Sequence, residues 1–260
     1  MIINFLIIIQ VEKMKELIKK NLVQYVQEYK EKNHVEHIWR NPEICFTDAK
    51  SAYVRNLRNI VSVNHAMPED FLDDATIIIV YFLPFTDIIE KSNIGNIDAS
   101  EGWASGYTET EKIIPWLNQR IIKSIEDMGY KAVEPSGISM DEEKLDSNWS
   151  HRHIAYAGGM GTFGINNMLI TNSGCCGRFY SLISNLNVIP DQMLDKEYCT
   201  YKKSGKCRVC VKNCPTGALT EDSFDRFRCY EQCMKNIEQY GVDVCGKCAT
   251  GIPCSLRRPC

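Results

Sequence analysis

Ten of the thirteen cysteines of this chain lie between residues 199 and 260, and their spacing limits the possible folds more than any other feature. They form two blocks, with the patterns Cys-x7-Cys-x2-Cys-x3-Cys-Pro and Cys-x15-Cys-x2-Cys-x5-Cys. The first block contains Cys199, Cys207, Cys210 and Cys214, and the second contains Cys229, Cys245, Cys248 and Cys254, with Cys233 and Cys260 beside it. Two thiolates separated by two residues on a tight loop can converge on one metal centre.

This spacing predicts two [4Fe–4S] clusters with interleaved ligands. In two-cluster ferredoxins, the cysteine that ends such a run before a proline binds the other cluster. The rule assigns Cys199, Cys207, Cys210 and Cys254 to one cluster and Cys214, Cys229, Cys245 and Cys248 to the other. Seven residues separate the first two cysteines where two are usual, so Cys233 competes with Cys199 as a ligand.

Three other interpretations of the cysteines are less consistent with the chain. Paired Cys-x2-Cys loops also form four-thiolate zinc sites. A disulfide framework is typical of small secreted proteins, whereas this chain has 260 residues, an odd number of cysteines and no clear secretory signal. Unligated core cysteines do not account for this density. Reduced cysteines as metal ligands predict a reducing, cytoplasmic location.

The overall charge argues against a broad nucleic-acid interface. The net charge is −3, which excludes bulk positive charge as the basis of binding. A local basic group, consisting of Lys202, Lys203, Lys206, Arg208 and Lys212, surrounds the first cysteine block. We interpret it as a solvated loop that offsets the negative charge of a thiolate-ligated cluster.

The chain divides into three predicted segments: a hydrophobic extension at 1–13, an α/β body at 14–190 and the cluster domain at 191–260. The extension is shorter than the roughly 20 apolar residues that span a bilayer, so no membrane partner is predicted. Met14 opens an amphipathic helix that continues to residue 32, so the extension is explained by an upstream mis-start. The mass of the native protein tests this.

Helices alternate with buried strands in the body, which predicts an α/β fold. Residues 76–83 form an apolar, β-branched run typical of a strand covered on both faces. A helix is predicted from a capping box at Thr108 and Glu111 to a C-cap at Gly129, followed by a strand at 131–134. Residues 168–171 and 178–183 are predicted to form a hairpin, with Cys175 and Cys176 packing between them. Cys45, His34, His37 and His65 are interpreted as structural or surface groups.

A glycine-rich stretch follows His151, Arg152 and His153. Gly159, Gly161 and Gly164 match the dinucleotide pattern G-x-G-x-x-G, but a helix rather than a strand precedes them, so a dinucleotide site is not predicted.

These motifs together resemble the epoxyqueuosine reductase family and its short iron–sulfur relatives. The resemblance rests on PEDFL at 68–72, on W-A-x2-Y-x-E-T from residue 103, on the segment 158–170 and on the cysteine blocks. It implies a body similar to nitroreductases that holds base-off cobalamin, two [4Fe–4S] clusters that supply its electrons, and reduction of the epoxide of epoxyqueuosine in tRNA.

The resemblance also implies roles for individual residues. Asp146, which precedes Ser147 and Arg152 as in the family motif but with a one-residue deletion, corresponds to the proposed proton donor, with a helix N-cap as the alternative role. The implied cofactor-binding residues are Arg152, His153, Gly158, Gly159, Gly161 and Gly164. His151 and His153 have structural placement on a buried helix as their alternative. An electron donor of ferredoxin or flavodoxin type is implied as a partner.

Two departures from the family pattern argue against tRNA as the substrate. Ile165 stands where the family has lysine, and the chain ends at Cys260, where full-length members continue into a helical-repeat region. A small molecule or a modified nucleoside is the remaining expectation. The sequence thus leaves two functions open: a cobalamin-linked iron–sulfur reductase, or a two-cluster electron carrier without a substrate of its own.

Overall fold

A computed structural model describes residues 2–259, with the side chains of residues 11–259. Its elements in chain order are α1 Ile2–Asn33, β1 Glu43–Asp48, α2 Ala52–Arg55, α3 Leu57–Ile60, β2 Ile77–Pro84, α4 Asp87–Ser92, α5 Glu101–Glu126, β3 Ala132–Val133, β4 Met140–Asp141, β5 Asp146–Ser147, α6 His151–Ala157, β6 Gly161–Phe163, β7 Leu169–Thr171, β8 Gly177–Ser184, α7 Thr200–Ser204, α8 Val209–Lys212 and α9 Arg226–Tyr240. Short 3₁₀ turns lie at Pro68–Asp70 and Lys247–Ala249.

The centre of the body is a four-stranded sheet in the order β1-β2-β8-β3. All of its strand pairs are antiparallel. Every residue of β2 is buried, which confirms the strand predicted at 76–83 with a shift of one residue. The body is therefore a mixed α/β fold with an antiparallel sheet.

Helices cover the sheet on both faces, which explains the unbroken apolar run of β2. Successive side chains of a strand point to opposite faces. Ile77, Ile79 and Tyr81 face a core that includes residues of α1 and α5, whereas Ile78 and Val80 face a second core that includes residues of α2, α3 and α6. The short strand predicted at 131–134 is confirmed as β3 at the sheet edge.

Helix α1 begins at Ile2, so the expectation that this helix opens at Met14 is wrong. Its buried residues Ile18, Leu22 and Val26 recur at helical spacing and pack on the body. Lys15 is only 5% exposed and forms an ion pair of 2.5 Å with Asp191. The mis-start at residues 1–13 stays a prediction, and Met1 lies outside the described residues. None of the described helices combines the length and apolar character needed to cross a bilayer.

The N-cap of helix α5 lies eight residues before the predicted N-cap, Thr108. Ser100 is its N-cap, and the Ser100 side chain accepts a hydrogen bond from the Trp103 amide. Thr108 lies inside the helix and donates to the carbonyl of Ala104 instead, so the capping-box prediction is wrong. Gly129 follows the helix end in a left-handed conformation (φ 85°), as expected for a terminating glycine.

The predicted hairpin between 168–171 and 178–183 is also wrong. β7 pairs with β6, while β8 pairs with β2 along eight residues and with β3 on its other side. Because β8 pairs with β2 on one side and with β3 on the other, it has no free edge for β7. β7 therefore pairs with β6, just after α6, in a separate two-stranded ribbon.

The cysteine-rich segment consists of short helices, α9 and connecting loops. One isolated bridge, between Leu219 and Phe224, is its only β-type pairing among the described residues. Cys199, Leu219 and Ile252 belong to the same apolar core as α1 and α5. The segment is therefore packed into the core of the body, and the boundary at 190/191 stays a prediction.

Candidate metal centre

Cys199, Cys207, Cys210 and Cys254 line a single cavity. Cys199 precedes α7, Cys207 and Cys210 flank the start of α8, and Cys254 comes from the other sequence block. The remaining wall is mainly apolar and includes Ile165, Ile170, Ile252 and Pro253. These four cysteines, called the first thiol group below, are the set that the sequence predicts for one cluster.

The other four predicted ligands also lie near one another. The thiol of Cys248 is close enough to Cys245, Cys229 and Cys214 for their charges to act on its pKa. Cys214 belongs to the first sequence block and follows α8, whereas Cys229 lies in the first turn of α9. These cysteines are called the second thiol group.

Cys233 lies beside Cys229 rather than beside Cys199. The two residues are one turn apart on α9, and a hydrogen bond from Cys233 lowers the pKa of Cys229. The charges of Cys229 and Cys245 interact, and so do those of Cys233 and Cys245, so both α9 cysteines lie near Cys245. Cys233 is therefore placed beside Cys229, and the choice of ligands, including that between Cys199 and Cys233, stays a prediction.

The donor set fits two clusters. Among the described residues, no three thiols, imidazoles or carboxylates are arranged to hold a single metal ion. Burial raises the pKa of Cys210 to about 12 and also raises that of Cys248, so positive charge is needed to keep these groups ionised. Iron supplies such charge, because metal binding deprotonates its thiol ligands. The cavity bordered by the first thiol group, whose four thiols come from separate loops, suits a bulky metal–sulfur group.

Four asparagine amides hold the loop that carries Cys245 and Cys248. The backbone carbonyls of Val244, Cys245, Cys248 and Thr250 accept hydrogen bonds of 2.6 to 3.0 Å from Asn236, Asn93, Asn166 and Asn213, respectively. Paired carbonyls avoid the cost of burying an unsatisfied polar group. These four asparagines were not predicted, because single asparagines at 93, 166, 213 and 236 form no recognisable sequence pattern.

Gly246 and Trp103 fix the same loop to the body. Gly246 has a left-handed φ of 71°, and a Cβ there would overlap the indole ring of Trp103. Trp103 in turn packs edge-on against Phe85, which follows β2. Trp103, the tryptophan of the W-A-x2-Y motif, therefore packs against the turn between the predicted ligands Cys245 and Cys248.

Cys254 is held by the stretch after β7. The amide of Cys175 donates to the carbonyls of Cys254 and Ser255, and the amide of Cys176 donates to Ser255. A hydrogen bond from the Cys175 thiol lowers the pKa of Cys254. The expectation that Cys175 only packs is incomplete, because this residue positions a member of the first thiol group.

The histidines of α6 are embedded in the body. Nδ1 of His151 lies 2.9 Å from Oγ of Ser181, and Nδ1 of His153 lies 2.7 Å from Oγ of Ser150. Burial lowers the pKa of His151 to about 3 and that of His153 to about 4, so both imidazoles are neutral near pH 7. His65 has the structural role predicted for it, since its Nε2 accepts from the Ser150 amide.

Asp146 lies in β5, paired with Asp141 of β4. It does not cap α6, because Ser150 occupies the N-cap position, so the alternative role as an N-cap is wrong. Arg152 donates a hydrogen bond of 2.8 Å to the carbonyl of Asn167. Burial lowers the pKa of Arg152, and the nearby Cys248 thiolate charge raises it by a smaller amount. Arg152 therefore lies where the body meets the second thiol group.

The four glycines after α6 contact the chain itself. A Cβ on Gly158 would overlap Thr47, one on Gly159 the Gln192 carbonyl, and one on Gly161 the Ile170 carbonyl. A Cβ on Gly164 would overlap the side chain of Asn166. Internal packing accounts for all four, and their role in binding a cofactor stays a prediction.

Solved structures identify the fold. The chain matches the crystal structure of an epoxyqueuosine reductase with a TM-score of 0.59 over 94% of its own length, at 18% identity. It matches the enzyme from Bacillus subtilis with a TM-score of 0.55 over 96% of its length, at 17% identity. The chain has the epoxyqueuosine reductase fold. Comparison of the sequence with models of protein families and with curated proteins finds no match.

The epoxyqueuosine reductase fold is also found in reductive dehalogenases. One whose structure addresses B12-dependent dehalogenation matches over 79% of this chain and 28% of its own, with a TM-score of 0.51 and 15% identity. The chain spans about two thirds of the epoxyqueuosine reductase chains, 66% of the first and 67% of the second. The resemblance seen in the motifs is thus confirmed at the level of the fold.

Within this fold, the residues themselves do not single out a corrinoid. Every fully buried side-chain nitrogen or oxygen among the described residues has a hydrogen-bond partner within the chain. No orphaned polar group among these residues therefore marks where the amides of a corrinoid would bind.

Proposed function

We propose that this chain is an iron–sulfur reductase with two [4Fe–4S] clusters, held by the first and second thiol groups. The observation that carries the proposal is the exchange of cysteines between the sequence blocks. Cys254 of the second block lies with Cys199, Cys207 and Cys210, and Cys214 of the first block lies near Cys245 and Cys248. Clusters bound in this way supply single electrons at low potential.

The body is proposed to hold the electron acceptor, either a cobalamin or the substrate itself. Arg152, in the first turn of α6, lies near Cys248, so it is placed to hold an anionic group next to the second thiol group. Neutral His153 can donate or accept one hydrogen bond at the same surface. Asp146 is proposed as the proton donor, because it is half-buried on a short ribbon near the start of α6.

The proposed substrate class is a modified nucleoside. A solved structure with this fold is an epoxyqueuosine reductase bound to an epoxyqueuosine-modified tRNA stem loop, with a TM-score of 0.51 over 90% of this chain. The electrons are proposed to come from a ferredoxin- or flavodoxin-type protein. The second candidate function is a two-cluster electron carrier without a cofactor or substrate of its own.

Metal analysis after anaerobic purification tests the proposal. We expect about eight irons per chain, from two four-iron clusters, and cobalt when corrinoid is supplied. Cys248→Ala should lose iron, whereas Cys45→Ala, which removes a buried thiol outside both groups, should keep it. Iron without any corrinoid uptake supports the carrier, and zinc without iron contradicts both functions.

A further inference from the structure

The surface around the first thiol group is strongly basic. Six lysines and arginines and one acidic residue lie between residues 196 and 212. The six cations are exposed: Lys196, Lys202, Lys203, Lys206, Arg208 and Lys212. Exposed Arg258, from the end of the described chain, joins them. These seven residues are called the basic face.

The surroundings of the second thiol group are mixed in charge. Between Cys229 and Cys245 the chain carries three acidic residues, Glu231, Glu238 and Asp243, and one basic residue, Lys235. Of the cations nearest its ligands, Lys247 is buried and Arg152 is half-buried, whereas Arg226 and Arg228 are exposed. The whole chain has a net charge of −3. The basic face is therefore a local concentration of exposed cations, which creates an attractive potential for anions at the first thiol group.

The basic face adjoins the cavity of the first thiol group. Lys196, Lys203 and Arg258 line an open depression together with Pro259, and Pro259 also lines the cavity that contains Cys199 and Cys207. A protein seated on this depression would be separated from the thiol cavity by a single proline ring and the adjoining loop.

Part of the basic face is free to bind a partner. Lys202 donates to the Phe163 carbonyl, and Arg208 is paired with Glu221 at 2.7 Å. In contrast, Lys196, Lys203, Lys206 and Lys212 form no ion pair with any described residue. Their ammonium groups are available to carboxylates of another molecule.

We propose that the basic face is the docking surface for an acidic one-electron carrier protein that reduces this chain at the first thiol group. The proposal rests on the proposed function and extends it by assigning the side of electron entry. In each encounter the carrier loses one electron and this chain gains one, and no bond is made or broken. Electron-transfer complexes of this kind are small, transient and steered by complementary charge.

The composition of the face favours an acidic protein over a nucleic acid. Proteins that grip single-stranded nucleic acid combine basic grooves with exposed aromatic rings on which bases stack. Here Tyr198 is only 8% exposed, and the guanidinium of Arg208 lies 5.8 Å from the ring centre of Tyr201. Tyr198 is therefore buried, and Tyr201 is half-buried with a guanidinium over its ring, so the face lacks the fully exposed rings of such grooves.

Binding of a labelled acidic flavodoxin to the full, cluster-containing chain tests the inference. Fluorescence anisotropy is measured at 50 and 300 mM salt for the native chain and for Lys203→Glu/Lys206→Glu. Lys20→Glu/Lys32→Glu is the matched control, because it makes the same charge change at exposed positions of α1. An epoxyqueuosine-free tRNA stem loop serves as the competing probe, and iron content and reduction by dithionite are recorded for each variant.

We expect flavodoxin to bind at low salt and to weaken at high salt. The Lys203→Glu/Lys206→Glu change should weaken binding about tenfold, while the control changes it less than about twofold. The rate of cluster bleaching by reduced flavodoxin should fall in parallel, whereas bleaching by dithionite should not change. Equal binding by both double variants, or binding of the stem loop alone, would overturn the inference. Chains that contain no iron would instead refute the proposed function.

Discussion

At the scale of single residues, the predicted cluster ligands are arranged largely by other side chains. Asn93 pairs with the carbonyl of Cys245, Asn166 pairs with that of Cys248, and Cys175 contacts Cys254 through both backbone and thiol. The grouping of these thiols could be predicted, because thiol spacing is a local property of the sequence, whereas their role as ligands stays a prediction. Their supports could not, since they come from positions 79 to 152 residues away in the chain.

The contact between Cys229 and Cys233 gives a direct test of the ligand set. We expect Cys229→Ala to lose about four irons, because Cys229 is the α9 cysteine of the predicted ligand set and lies near Cys245. Cys199→Ala should lose a similar amount, since it removes a member of the first thiol group. Cys233→Ala should retain nearly all of its iron. Iron analysis of the three anaerobically purified variants checks this, and loss of a cluster only in Cys233→Ala would reverse the assignment.

The buried imidazoles of α6 predict that the protein is destabilised by acid. Burial lowers the pKa of His151 to about 3 and of His153 to about 4, below the usual value of 6.5. As pH falls below 6.5, the unfolded state binds protons first, so stability is fully present above that pH and is lost toward pH 4. Each imidazole should cost up to about 2 kcal/mol between pH 7 and pH 5.

Urea unfolding of the cluster-containing protein at several pH values measures this loss. His151→Asn should flatten the dependence on pH, because the remaining side chain does not titrate in this range. His37→Asn removes an exposed histidine and should leave the slope unchanged. A slope that is identical in the native chain and in His151→Asn would contradict the prediction.

At the scale of elements, burial patterns were predictive and element ends were not. The all-apolar run of β2 predicts a strand covered on both faces, and helix α6 before the glycines excludes the dinucleotide motif. The start of α5 was missed because Thr108 and Glu111 match a capping box inside a helix that Ser100 already caps. The pairing of β7 depends on which partner β8 takes, and that is decided by long-range packing.

The turn between Cys245 and Cys248 gives a prediction at this scale. Gly246→Ala combines a left-handed φ of 71° with overlap of Trp103, so it should destabilise the protein by more than about 3 kcal/mol and reduce iron binding. Gly205→Ala is the matched control, because Gly205 has a φ of 69° but open space around it. It should cost only about 1 kcal/mol. Equal losses in the two variants would show that Trp103 does not restrict this turn.

At the scale of the whole molecule, the cysteine-rich segment and the body form one structure. Arg40, which precedes β1, donates to the carbonyls of Leu256, Ser173 and Phe85 and so joins the end of the described chain to the sheet. The apolar core that contains Leu22 of α1 also contains Cys210 and Ile252. The predicted division at 190/191 rests on the concentration of cysteines from residue 199 onwards, whereas packing between the segment and the body leaves no local signal in the sequence.

This shared core predicts that metal content controls the stability of the entire chain. Because Cys199 and Cys210 are part of the core that packs on the sheet, loss of the clusters should loosen the body as well. Calorimetry of the protein as purified should show one cooperative transition. Removal of iron by anaerobic chelation should move that transition down by at least about 10 °C, since cluster ligation contributes several kcal/mol to folding. Reconstitution with iron and sulfide should restore it. Two transitions, of which only the smaller responds to iron, would show that the segment unfolds independently of the body.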